Sequence, residues 1–425
     1  MFKSLLIDTV FNFLGNATVR LTFVVLSIVT AQNLEYTKFQ NFTMVITTVN
    51  MVIAAIGFAL STTLVKLISD LFTCPNKYNL ELLNVFWRSA IKYLLLGFLI
   101  LSFLIYPISN FLFKGDETYF LYMVILIVFS IFSTIASSHL VGIKDFKYLS
   151  FNRLISGFAF GFYLLVFYVF NFSNTNELIF SIVFFHALMI FHPIKRYMRK
   201  RRELIVRDGS LKLRDTNPFY TITIPSFLSN AAYAISTWLV VIVFLWFFPN
   251  ENISSEVAIA FVWFNALTFI PQSLSTALLP RLSNLKNESF IRIIVFSMVI
   301  NMVVTLLCIG MVFYFKDVIK NLYMIQFENI SVLIVIMSIA ALPSALCKVT
   351  GQYFISKGKM YQSLFFNIIW SIGLLGSTSL FLYFGGKSLS IAYGLILSYF
   401  LLLLIQLTYI FWDKDEYSNY NKSSI

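Results

Sequence analysis

Long apolar runs follow one another along the whole chain, separated by short polar stretches. Each run is helical in length, about 18–32 residues, and none shows the ten-residue alternation of an outer-membrane barrel. Twelve spans are expected, near 5–31, 39–63, 93–113, 118–141, 151–171, 177–194, 217–248, 256–280, 291–315, 328–350, 361–384 and 388–412. The first run is too long and too polar inside for a cleaved signal peptide, so it is expected to remain as the first span.

Inside that span the polar positions form a pattern of their own. Asp8, Asn12, Asn16 and Arg20 step by four and so share one gently spiralling face of a helix. An arginine near mid-membrane costs roughly 2.5–3.5 kcal/mol on insertion scales, which demands a partner or a wet cavity. The seventh span repeats the stripe with Ser226, Asn230, Tyr233 and Thr237. The eighth carries Asn265, Thr268 and Gln272. Such asparagines and serines either line a cavity or glue spans together, and the pattern alone leaves both readings open.

The two halves align. Phe13-Leu-Gly-Asn-Ala17 matches Phe227-Leu-Ser-Asn-Ala231 at a shift of 214, as Leu60-Ser-Thr-Thr-Leu64 matches Leu274-Ser-Thr-Ala-Leu278. At a shift of 215, Lys144 matches Lys359 and Phe151-Asn152 matches Phe366-Asn367. Asn16 is thus the mate of Asn230, while Arg20 maps onto Ala234. Six spans per half make the repeats parallel, so the expected fold is all-α and polytopic, two six-helix lobes about a central cavity. The expected division is 1–194 for the first lobe, 195–214 for a basic linker, 215–412 for the second lobe and 413–425 for a tail.

Composition agrees: 59% of residues are hydrophobic and 12% charged, about half the charge share of a soluble chain. The net charge of +12 does not indicate nucleic-acid binding, because the basic residues sit between spans. With the N-terminus inside, 25 of the 31 lysines and arginines fall on the inner side and five on the outer, which predicts cytoplasmic termini. Nine of them lie between Lys195 and Arg214, read as a topology anchor, a dock for anionic lipid headgroups, or both. Lys66, Arg88, Lys92, Arg153 and Lys348 are read as interface anchors, and so is Arg281, with a phosphate contact as its alternative.

Catalytic and metal chemistry find little support. Cys74, Cys308 and Cys347 have no disulfide or metal spacing. His139, His186 and His192 are isolated, and His186 is expected to be buried and neutral. No Walker motif, nucleophile elbow or catalytic carboxylate pair occurs, so no enzyme and no cofactor is expected. All 19 acidic residues lie in loops or near span ends. The one central charge is positive, which favours an anionic substrate.

The segments Phe13-Leu-Gly-Asn-Ala-Thr-Val-Arg20, Gly57-Phe-Ala-Leu-Ser-Thr-Thr-Leu-Val-Lys-Leu-Ile-Ser69, Ile224-Pro-Ser-Phe-Leu-Ser229 and Ile270-Pro-Gln-Ser-Leu-Ser-Thr-Ala-Leu-Leu-Pro-Arg-Leu-Ser283, in this order and spacing, resemble Wzx-type polysaccharide flippases. These belong to the multidrug/oligosaccharidyl-lipid/polysaccharide exporter superfamily. The resemblance implies transport of an undecaprenyl-pyrophosphate-linked glycan, such as an O-antigen repeat unit of lipopolysaccharide, across a bacterial inner membrane. It also implies partners in polysaccharide assembly, a polymerase and a chain-length regulator. Arg20, Asn16, Asn12, Asn230, Ser226, Tyr233, Asn265 and Gln272 are the expected substrate contacts, with Arg281 at the headgroup entry. A cation-coupled multidrug-type exporter and a non-transporting assembly protein such as a polymerase are the alternatives. The latter would need a large outer loop, and none is expected here.

Overall fold

The computed structural model describes residues 2–73, 75, 77–103, 105–113, 115–170, 174–203, 217–248, 253–282, 287–323, 329–356 and 359–423. Its regular elements are all helices: α1 Phe2–Asn33, α2 Tyr36–Val52, α3 Phe58–Thr73, α4 Lys77–Phe103, α5 Ile105–Phe113, α6 Glu117–Gly142, α7 Phe146–Val169, α8 Thr175–Arg202, α9 Ile224–Phe247, α10 Ile253–Leu282, α11 Asn287–Tyr314, α12 Lys316–Leu322, α13 Ile330–Ser356, α14 Met360–Tyr383 and α15 Leu389–Ser423. A π-helical turn, Ile53–Gly57, joins α2 to α3 into one span. A second, Phe219–Thr223, precedes α9, where Pro225 has no N–H to offer the preceding turn.

Among the described residues, eleven helical segments are long and apolar enough to cross a membrane, and the start of α10, Ile253–Phe269, is a shorter apolar helix. This is a multi-pass membrane protein. Each expected span falls on these helices, and one starts earlier than its apolar run. The third span is expected from residue 93, yet α4 begins at Lys77 and its apolar segment at Asn79. Leu83, Phe86 and Ala90, at i, i+3 and i+7, are each 1% exposed, and burial of that stripe carries Arg88 and Lys92 into the helix.

The chain forms two compact units, Met1–Trp238 and Leu239–Ile425. In the first, α6 is the central helix and packs on α2, α3, α5 and α8. In the second, α13 holds that place against α10, α11 and α15. The pairs recur in repeat order: α3·α6 with α10·α13, α6·α8 with α13·α15, and α7·α8 with α14·α15. The repeat read from matched residues therefore also exists as matched helix neighbours.

The basic run after residue 195 begins as the last two turns of α8; its remainder, 204–214, and Cys74 lie outside the described residues. Asp145, in the turn between α6 and α7, caps α7 by accepting from the Tyr148 N–H at 3.4 Å. Its Oδ2 accepts from Arg196 Nε at 3.1 Å and pairs with Lys200 Nζ at 2.9 Å, one helical turn apart. Burial pushes the Asp145 carboxyl up, but the bonds from Lys200 and Arg196 outweigh it, and the group lies below the ordinary carboxylate value. Its contribution is therefore full above the unfolded value of about 3.9 and is lost as pH falls through the lower folded value. Asp145→Asn should speed hydrogen exchange of the 196–202 amides about fivefold near neutral pH, as loss of about 1 kcal/mol in partly exposed pairs implies. The difference from wild type should vanish in strong acid.

Candidate functional site

The polar stripe of α1 meets α7 because small residues let the two helices approach. A Cβ on Gly15 would stand 2.8 Å from the Ser150 Cα, and one on Gly157 would stand 2.7 Å from the Thr18 Cγ2. The Thr22 hydroxyl reaches the Gly157 carbonyl at 3.4 Å, and the Ser150 hydroxyl donates to the Phe11 carbonyl. Ser150, Arg153 and Gly157 occupy i, i+3 and i+7, so this approach turns Arg153 toward α1.

Arg153 is therefore not the interface anchor expected from its place near a loop. Its Nη1 donates to Asn12 Oδ1 at 3.0 Å, and Asn16 Nδ2 donates to the same oxygen at 3.2 Å. Arg153, on α7, is half-buried, and Arg20, on α1, is exposed. The two guanidinium groups act on each other electrostatically, and Arg20 also interacts with Tyr233. Among the described residues, neither arginine is in an ion pair with a carboxylate. Two neighbouring cations on an amide-lined stripe, without a counter-ion among those residues, make a ready receptor for a multiply charged anion, since guanidinium forks match phosphate oxygens.

The other expected contacts of this unit lie on α9. Asn230 Nδ2 donates to the Ser226 hydroxyl at 3.4 Å. This repeats, at the shift of 214, the bond from Asn16 to Asn12. The aromatic Trp238 is tied down, its Nε1 donating to Thr48 Oγ1 at 3.0 Å.

The second unit has a cation of its own, again one that the sequence pattern assigns to the interface. Lys348 on α13 donates to the Thr268 carbonyl at 3.1 Å and to Gln272 Oε1 at 3.4 Å, both on α10. It thus belongs to the same stripe as Asn265 and Gln272, both of which are exposed. Trp263 Nε1 donates to the Tyr323 hydroxyl at 2.9 Å. Arg281 falls outside the residues whose side chains are described, as does Asp8.

His186 is half-buried and satisfied at both ring nitrogens, with Ser130 Oγ 2.9 Å from Nε2 and Ser133 Oγ 2.8 Å from Nδ1. Ser133 gives its proton to the Ser130 carbonyl. The ring therefore donates from Nδ1 to the Ser133 hydroxyl. No group of metal-ligating side chains occurs among the described residues.

A signal for Arg153 is present in the sequence. A cation set between small residues at i−3 and i+4 lies on a helix's packing face, where lipid is absent. Its closeness to the basic loop at 144–147 hides it.

The chain shares its fold with solved MATE transporters over nearly their whole length. A mutant form of the Vibrio cholerae MATE transporter VcmN superposes with a TM-score of 0.71 at 15% identity over 96% of both chains. A multidrug resistance MATE family transporter of the MOP superfamily, captured outward-facing, gives 0.65 at 13% identity over 99% of this chain and 96% of its own. A MOP superfamily transporter from Pyrococcus furiosus gives 0.64 at 13% identity over 96% and 95%. No family model matches the chain, and no curated protein matches its sequence.

Proposed function

We propose that the chain is a transporter that moves a lipid-linked oligosaccharide, an undecaprenyl-pyrophosphate glycan of an O-antigen or similar surface polysaccharide, across a bacterial inner membrane by alternating access. The observation that carries this reading is Arg153, bonded to Asn12 Oδ1 beside the Asn16 amide, with Arg20 acting on it electrostatically from the same stripe of α1. A pyrophosphate carries the negative charge that suits these cations, and the amides and hydroxyls of Asn16, Asn230, Ser226 and Tyr233 suit sugar hydroxyls. Asn265, Gln272 and Lys348 offer the same chemistry in the second unit. Both termini are proposed to be cytoplasmic, from the bias of basic residues. Polysaccharide-assembly proteins, a polymerase and a chain-length regulator, are its proposed partners.

The likeness to MATE transporters favours a second reading, a cation-coupled exporter of small molecules. Against it stands the charge of the site, since a cationic drug needs a carboxylate where this chain places arginines. The Pyrococcus furiosus neighbour is itself described by a reversed binding-pocket polarity that suggests a different function, so the fold accommodates either sign. Deleting the gene decides between them. Loss of surface polymer with lipid-linked repeat units retained inside the cell is expected. Unchanged polymer with increased drug sensitivity would replace this reading with the exporter.

A further inference from the structure

One face of α8 changes character abruptly. Phe180, Phe184 and Phe191 are exposed at 67%, 50% and 64%, and Ile194 and Met198 continue the apolar surface. On the same face follow Lys195, Arg199 and Arg202, which, with the apolar residues, fall within about 140° of arc at 3.6 residues per turn. Lys195, Arg199 and Arg202 are exposed, and among the described residues none has an acidic partner. Two of the other basic residues of this helix end are engaged elsewhere: Arg196 and Lys200 bind Asp145, and Arg196 also lies 5.2 Å from the Tyr148 ring centre.

We infer that Lys195, Arg199 and Arg202 form a binding site for an anionic phospholipid of the surrounding bilayer, its phosphate on the three cations and its acyl chains along Phe191, Ile194 and Met198. The step from aromatic to basic on one helix face marks the height at which hydrocarbon gives way to headgroups. A simple interaction of cations with the helix C-terminus would not select this face, because Arg196, Lys200 and Arg201 serve the helix end equally well. Nor would it leave apolar side chains exposed directly beside the cations. The site is independent of the transported substrate, for its ligand is the membrane itself.

The test is equilibrium binding of fluorescent phosphatidylglycerol to the full-length protein in neutral detergent, with phosphatidylcholine as the uncharged comparison. Wild type should prefer phosphatidylglycerol at least tenfold and lose that preference as salt rises. K195Q/R199Q/R202Q should weaken binding about a hundredfold, three basic contacts each contributing near the surface. R196Q/K200Q, which removes two charges from the other side, should stay within about threefold of wild type. Should the triple variant fail to accumulate, R199K/R202K, which keeps the charges, should bind as wild type does, and the salt response of wild type decides. Equal losses in the two glutamine variants, an unchanged triple variant, salt-insensitive binding, or displacement by millimolar inorganic phosphate would each overturn the assignment. The last would show a free-phosphate site in place of a lipid site.

Discussion

Replacing Arg153 by glutamine is expected to abolish surface polysaccharide, on the proposed function, while the protein remains in the membrane at wild-type level. Glutamine still has an N–H to offer Asn12 Oδ1, the bond that Arg153 makes at 3.0 Å, so the helix contact survives and only the charge is lost. A charge-assisted hydrogen bond contributes about 1.5–3 kcal/mol, which corresponds to roughly 10- to 150-fold weaker binding of a pyrophosphate. Arg20→Gln should match it. Lysine at either position keeps the charge without the planar fork and should restore part of the activity. Asn12→Asp should be as damaging as either loss, because a carboxylate at that position neutralises Arg153 from within and repels the substrate. Polymer on the cell surface and accumulated lipid-linked repeat units are the two readouts. Normal polymer in Arg153→Gln would remove the anion site from the mechanism.

The second large effect concerns the contact that places Arg153. Gly15→Ala forces a methyl to within 2.8 Å of the Ser150 Cα and 2.9 Å of its hydroxyl. The first is backbone and cannot rotate away, so α1 must move off α7. Overpacking of this kind costs about 1–3 kcal/mol, and each kcal/mol lowers the melting temperature of a unit this size by about 2–4 °C. Ser150→Gly in the same chain removes the hydroxyl but leaves the backbone, so it should return only part of the loss. Gly15→Leu should prevent accumulation altogether. Thermal unfolding in detergent, followed by tryptophan fluorescence, measures the first two, and the amount of protein in the membrane measures the third. If Gly15→Ala unfolds at the wild-type temperature, the close approach of α1 and α7 is not what holds the site.

Most of the architecture is legible in the chain because a bilayer reduces the question to length and polarity. Apolar runs give the spans, and matched asparagines at one shift give the repeat, which returns as matched neighbours around α6 and α13. What is not legible follows from the same simplification. Mean polarity hides an amphipathic start such as α4, where Arg88 and Lys92 share a helix with the buried Leu83, Phe86 and Ala90. It also treats every cation near a loop alike. Arg153 and Lys348 read as the same kind of anchor, yet the first bonds to Asn12 and the second to Thr268 and Gln272. Sequence distance from a loop does not tell which way a side chain points; the small residues around it do. Arg20 is visible because no loop stands near it.

The shelf that α7 presents to α1 is also a search key. At 13–15% identity, overall similarity shows the fold and not the cargo. Three positions on α7, small at 150, cationic at 153 and small at 157, facing an asparagine and a glycine three residues apart at 12 and 15 on α1, are few enough to survive such divergence. Each is fixed by a contact and not by ancestry alone. Chains of this fold that keep the two small positions but place a carboxylate between them are expected to sort with the opposite class of cargo.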